Sequence, residues 1–212
     1  MAILATGYTT EVQASNTYVA AAGLNLLVEP FLSIALQFKA DHDAHAAAFF
    51  GLYNSAKASS DPTLTAPATN LLTAFPPKSS LPLTSETNVL IYALGLEILA
   101  AQVYATLAGG SLATSAGFTS FAKVLKLDAN LRISSTNLSL ISAATDIAAC
   151  DMQHAIALRA AVVLFKAQSS ATYILINGQP TGGTTLTDPA TFPKYFGSSV
   201  TAQNPQDYIT LA

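Results

Sequence analysis

Two glutamates, Glu11 and Glu97, stand alone in long apolar stretches of the sequence. Glu11 is the only charged residue before Glu29, and Glu97 is the only one between Glu86 and Lys123. Both lie in segments with apolar residues at helical spacing, and a helix that is apolar nearly all round is normally buried. A buried carboxylate is costly unless it is paired, protonated or bound to a metal ion. The two glutamates therefore predict a common polar site.

The histidines of the chain supply partners for these carboxylates. All three belong to two polar pairs with a spacing of three residues, His42/His45 and Asp151/His154. Residues i and i+3 share one face of a helix, so each pair can point inwards together. Carboxylate oxygens and imidazole nitrogens form a ligand set that suits iron, manganese or zinc. The predicted metal ligands are Glu11, His42, His45, Glu97, Asp151 and His154.

A weak internal repeat orders these residues along the chain. Glu11 and Glu97 are each followed seven residues later by a tyrosine, Tyr18 and Tyr104, and five residues after that by a glycine. The order is a Glu helix, a pair helix, a Glu helix and a pair helix. Over roughly residues 8–166 this order resembles the ferritin-like superfamily, especially its exported, desiccation- or stress-related branches. That family places Glu on the first and third helices and Glu-x-x-His on the second and fourth.

The resemblance implies a dimetal centre in the core of the bundle. Glu11 and Glu97 match the single Glu positions of the family, and His45 matches the histidine of the second helix. Asp151 and His154 match the last motif, with Asp in place of Glu. The cofactor that the resemblance implies is a pair of iron ions, with manganese or zinc as the alternatives.

Two departures from the family pattern lower the number of carboxylates. His42 stands where a bridging Glu is expected, and Asp151 is one methylene shorter than Glu. Fewer carboxylates then remain than the family uses, unless Asp41 or Asp43 contributes. Asp41 lies four residues before His45, on the same helical face. The sequence therefore leaves open a centre with a single ion, or an empty site whose polar groups hydrogen-bond each other.

Helical periodicity predicts the elements that position these residues. Long helices are expected at residues 3–27, 30–56, 84–107 and 134–167, and a short one at 118–125. Thr84 or Ser85 is the expected cap of the third helix, and Ser134 or Ser135 that of the fourth. A polar, Pro-rich stretch between the second and third helices suits a bundle with a long crossover connection. The predicted fold class is all-α, a ferritin-like four-helix bundle.

The last part of the chain has a different composition. Residues 169–212 are rich in Gly and Pro and contain one strand-like patch at 173–176. We therefore expect residues 1–168 to form the bundle and residues 169–212 to form an irregular tail packed against it.

Composition excludes several other classes of function. The chain has 9 basic and 12 acidic residues with a net charge of −3, and the basic residues form no patch, so we expect no nucleic-acid partner. The longest uncharged stretch, residues 98–122, is interrupted by glycines, so we expect no membrane span. The single Cys150 excludes an internal disulfide and a Cys-based zinc site, and its apolar neighbours predict a buried structural thiol.

Two functions remain open at this stage. The first, implied by the resemblance, is a dimetal oxidase or peroxidase-like protein that uses dioxygen or peroxide in stress protection. The second is a non-enzymatic structural or stress and assembly protein with a degenerate or empty metal site, as His42 and Asp151 suggest. Whether the chain is an enzyme or a homo-oligomer is left open by the residues. The resemblance favours export to the periplasm, although nothing in the chain excludes the cytoplasm.

Overall fold

A computed structural model describes residues 1–79, 81–109, 123, 133–134, 136–162, 174–176 and 179–181. These residues include four long helices: α1 (Ala2–Gly23), α2 (Phe31–Ala56), α3 (Glu86–Leu107) and α4 (Leu138–Ala160). They also include a small antiparallel pair of strands, β1 (Ile174–Ile176) and β2 (Gln179–Thr181). The predicted helical class is confirmed, and the predicted strand-like patch coincides with β1.

The chain divides into two compact units. The N-terminal unit is Met1–Pro76, in which α1 packs against α2, and the C-terminal unit is Pro77–Ala212, in which α3 packs against α4. Each unit thus contains one Glu helix and one pair helix. The predicted boundary at residue 168 lies outside the described residues, as does almost all of the short helix predicted at 118–125.

The core of the N-terminal unit forms between the apolar faces of α1 and α2. Leu4 of α1 is buried, as are Phe38, Phe49 and Tyr53 of α2. The two helices approach closely at Gly7, where a Cβ atom would lie only 2.7 Å from the ring of Phe49. Because carbon atoms pack at about 3.5–4.0 Å, only glycine fits at this point without a shift of the ring.

The Pro-rich connection after α2 folds back onto α1. The side-chain amide of Asn16 donates to the carbonyl of Pro67 (2.9 Å), and the backbone N–H of Leu71 donates to the hydroxyl of Thr17 (2.9 Å). Farther along, the ring of Phe75 is completely buried. The hydrogen bonds of Asn16 and Thr17 hold the helix that carries Glu11 from the side of the connection, in addition to its packing against α2.

The C-terminal unit is centred on α3, which is buried over most of its length. Ser85 caps this helix by accepting from the N–H of Asn88 (3.2 Å), and Glu86 lies in the first turn, as predicted. The helix ends before Gly109, whose φ of 95° suits glycine. Among the described residues, α3 alone is long and apolar enough to cross a membrane, and 78% of its most apolar window is buried within the protein.

The predicted start of the fourth helix was wrong. Helix α4 begins at Leu138, and its cap is Asn137, whose side chain accepts from the N–H of Leu140 (3.1 Å). The hydroxyl of Ser134 instead accepts from the N–H of Thr136 (3.4 Å) in a local turn. Ser and Asn both favour caps and turns, so local hydrogen bonding decides between them. The predicted end of this helix at residue 167 lies outside the described residues.

Candidate metal centre

The predicted ligands lie on the four helices in the predicted order. Glu11 is on α1, His42 and His45 are on α2, Glu97 is on α3, and Asp151 and His154 are on α4. All are buried except His45, which is partly exposed. We call Glu11, His42 and His45 the N-terminal cluster, and Glu97, Asp151 and His154 the C-terminal cluster.

The N-terminal cluster is built around one carboxylate oxygen. Oε2 of Glu11 lies 2.8 Å from Nδ1 of His42 and 3.3 Å from Nδ1 of His45. The two imidazole rings are nearly perpendicular, with centroids 5.9 Å apart. One ligand atom from each of the three residues lies within 4.8 Å of the others, which is close enough for all three to hold one ion.

The electrostatics of this cluster favour an ionised glutamate. Burial raises the pKa of Glu11, but hydrogen bonds from His42 and His45 and electrostatic attraction to the two imidazoles lower it by a larger amount. The pKa of Glu11 therefore lies well below its usual range. An ionised carboxylate only accepts hydrogen bonds, so each Nδ1 carries the proton that it donates. A metal ion held by all three residues would displace the protons on the ring nitrogens that bind it.

An aromatic side chain orients His42 within the core. The ring of Tyr18 stacks on the imidazole of His42 with centroids 5.7 Å apart and an interplanar angle of 26°. The same Tyr18 packs edge-on against Phe38 at 6.1 Å. These contacts restrict rotation of the imidazole, and Tyr18 itself is buried in the core.

The two acidic residues considered as substitute ligands do not join the N-terminal cluster. Asp43 pairs with Lys39 and accepts from the hydroxyl of Ser15 (2.6 Å), and 52% of its side chain is exposed. Burial raises the pKa of Asp43, but hydrogen bonds from Lys39 and Ser15 and the charge of Lys39 together lower it below the ordinary value. Asp41 accepts from the amide of Gln37 (3.1 Å). Asp43 is therefore a helix-surface acid.

The C-terminal cluster repeats the construction of the first with a different pair. Nδ1 of His154 lies 3.3 Å from Oε2 of Glu97. Glu97, Asp151 and His154 each offer a ligand atom, and these atoms lie within 4.8 Å of one another. Asp151 has no exposed surface at all. This cluster thus concentrates two carboxylates and one imidazole in a fully buried position.

The prediction that Cys150 is a buried structural thiol was wrong. The thiol is half-buried rather than buried, and Sγ lies 3.5 Å from Nε2 of His154. The spacing of four residues on one helix was the signal for this contact, because residues i and i+4 are neighbours on a helical face. Cys150 therefore lies beside the C-terminal cluster instead of serving only as a small apolar side chain.

The residues of both clusters fit a divalent transition-metal ion. Each cluster offers carboxylate oxygen and imidazole nitrogen, which iron, manganese and zinc accept. Each also has a buried carboxylate within reach of an imidazole, and this pairing offsets part of the cost of burying charge. The buried groups can therefore hold a metal ion, and their donor atoms do not select one metal among the three.

Comparison of the chain with family models, with curated proteins and with solved structures found no match. The ferritin-like resemblance therefore stays a prediction, and the assignment of the two clusters rests on their own residues and geometry.

Proposed function

We propose that the chain is a ferritin-like metal-binding protein in which the two clusters hold divalent transition-metal ions. One observation carries this proposal: each unit buries a glutamate of its first helix beside an i, i+3 pair of its second helix. Burying ionisable groups is costly, and here the same arrangement occurs twice in one chain. Metal binding by each cluster would explain both occurrences of these buried ionisable groups. The four-helix bundle and a centre of two ions are part of the proposal.

The chemistry proposed for this centre is oxidase- or peroxidase-type redox activity in stress protection. Bound iron or manganese would supply the electrons for reaction with dioxygen or peroxide. The side chains of the chain have other roles. The carboxylates of Glu11, Glu97 and Asp151 neutralise positive charge, and the imidazoles fix the direction of their ring nitrogens through hydrogen bonds to glutamate. Burial of these groups keeps bulk water from competing with them.

Metal analysis of the full chain tests this proposal. Protein from cells supplied with iron and manganese should retain about two ions per chain. The Asp151→Asn variant should lose at least half of this metal, because a carboxamide is a far weaker ligand. Asp146→Asn is the matched control, since Asp146 is an exposed acid on the same helix. Fewer than about 0.2 ions per chain in the wild type, or no change in Asp151→Asn, would contradict the proposal.

A second function is favoured by one feature of the N-terminal cluster. Glu11 and His42 already form a hydrogen bond of 2.8 Å, so these buried polar groups have partners without an ion, and a stable core does not require one. In that case the chain is a non-enzymatic structural or stress protein. His154→Ala should then change stability by about 1–3 kcal/mol while leaving biological activity intact. Loss of an oxygen- or peroxide-consuming activity in this variant would rule out the second function.

A further inference from the structure

The N-terminal cluster differs from the C-terminal one in a way that bears on what each can bind. We infer that Glu11, His42 and His45 alone hold one divalent transition-metal ion with open coordination positions, and that these positions take a small exogenous anion. The inference rests on the proposed function, since it assumes that the buried clusters bind metal.

The first argument is the donor set itself. The cluster offers one carboxylate and two imidazoles, all from α1 and α2 of the same unit. Two histidines and one carboxylate form a set that leaves positions open on ions such as Fe(II). The open positions of such an ion are filled by water or by another small ligand.

The second argument is charge. Glu11 provides a single negative charge, so a divalent ion bound here retains a net positive charge in a buried place. Uncompensated buried charge is costly, and an anionic ligand on the ion removes that cost. The C-terminal cluster differs, because the carboxylates of Glu97 and Asp151 together neutralise a divalent ion.

The third argument is access to solvent. The side chain of His45 is 15% exposed, whereas those of Glu11 and His42 are 2% exposed. A small ligand therefore reaches the N-terminal cluster from the side of His45. In the C-terminal cluster the side chains of Glu97 and His154 are only 3% and 5% exposed. Asp151 adds no exposed surface there.

Anaerobic titration of the full chain with Co(II), followed by visible absorption, tests the inference. The double variant Asp151→Asn/His154→Ala should still bind about one Co(II) per chain, and sodium azide should then shift its absorption bands. His45→Ala in that background should weaken Co(II) binding at least tenfold and abolish the azide shift. Asp43→Asn is the matched control on α2, since Asp43 is exposed and outside the cluster, and it should leave both readouts unchanged.

The outcomes separate this inference from the proposed function. If the wild type binds Co(II) and the double variant does not, the N-terminal cluster is no independent site, although the proposed function survives. If neither protein binds Co(II), both fail. Co(II) binding without an azide response overturns the claim of open positions. Circular dichroism establishes that each variant is folded, and Glu97→Gln replaces the double variant if that one is not.

Discussion

The two clusters share one construction and differ mainly at one position, which is His42 in the N-terminal cluster and Asp151 in the C-terminal one. Each takes a glutamate from its first helix and a histidine from its second. The exchange of an imidazole for a carboxylate changes the charge of the ligand set by one unit. It also changes the donor atoms from mainly nitrogen to mainly oxygen. One residue at a repeated position can thus give two related sites different preferences.

The two clusters also differ in the side chains that surround them and in their exposure to solvent. In the N-terminal unit the stacked ring of Tyr18 orients His42, and His45 reaches the surface. In the C-terminal unit all three residues of the cluster are buried, and the half-buried Cys150 contacts His154 on the same face of α4. We therefore expect the N-terminal cluster to be the more accessible site and the C-terminal cluster the more tightly enclosed one.

The largest loss of stability should come from removing the carboxylate at the centre of the N-terminal cluster. Glu11→Ala leaves two imidazoles without the oxygen to which both donate, so the free energy of unfolding of the metal-free protein should fall by about 3 kcal/mol or more. Urea unfolding measures the change. Glu29→Ala, at an exposed glutamate, should cost less than about 0.5 kcal/mol. Equal losses in the two variants would show that the cluster does not stabilise the unit.

A smaller loss of stability is expected from a substitution at the point where α1 and α2 pack closely. Gly7→Ala places a Cβ atom 2.7 Å from the ring of Phe49, so stability should fall by about 1–3 kcal/mol. Because Gly7 lies one turn before Glu11, Co(II) binding at the N-terminal cluster should weaken as well. Gly51→Ala is the control: nothing lies within 4 Å, and the exchange should stabilise α2 by about 0.5–1 kcal/mol. Thermal unfolding that ranks these two variants in the opposite order would contradict the packing described for α1.

Exchanging the residue at the position where the clusters differ, His42 or Asp151, should reverse the preference of that cluster between Mn(II) and Co(II). His42→Glu gives the N-terminal cluster two carboxylates and one imidazole, so its affinity for Mn(II) relative to Co(II) should rise by about tenfold. Competition between the two ions, with metal content read after dialysis, measures the ratio. The reciprocal change Asp151→His should move the C-terminal cluster towards Co(II). An unchanged ratio in both variants would mean that residue type at this position does not govern the choice of ion.

The smallest change in stability is expected from a substitution of Cys150. Cys150→Ser keeps the size of the side chain and its contact with His154, so stability should change by less than about 1 kcal/mol. The Co(II) bands of the N-terminal cluster should not change, whereas those of the C-terminal cluster should shift. A shift confined to the N-terminal cluster would be inconsistent with the position of this thiol.

Local sequence signals were sufficient for much of the helical architecture. Apolar spacing predicted α1 to α3 within a few residues, and Ser85 caps α3 as its residue type suggests. The start of α4 was missed because Ser134 and Asn137 compete as caps, and the hydrogen bonds that each one makes decide the outcome. Cys150 was misjudged because the exposure of a side chain depends on what packs over it.

The sequence by itself determined the order of the predicted ligands and their pairing on helical faces, because the spacing i, i+3 and the isolation of Glu11 and Glu97 are properties of the chain. Only the tertiary structure decided which atoms meet. Oε2 of Glu11 lies within hydrogen-bonding distance of two imidazoles because α1 and α2 pack closely at Gly7. Asp43 is held at the surface because Ser15 and Lys39 lie beside it. Lys39 and Asp43 are neighbours on one helical face, which the sequence shows, but the contacts of Ser15 with Asp43 and of Glu11 with the histidines join residues distant in sequence, whose proximity no local pattern records.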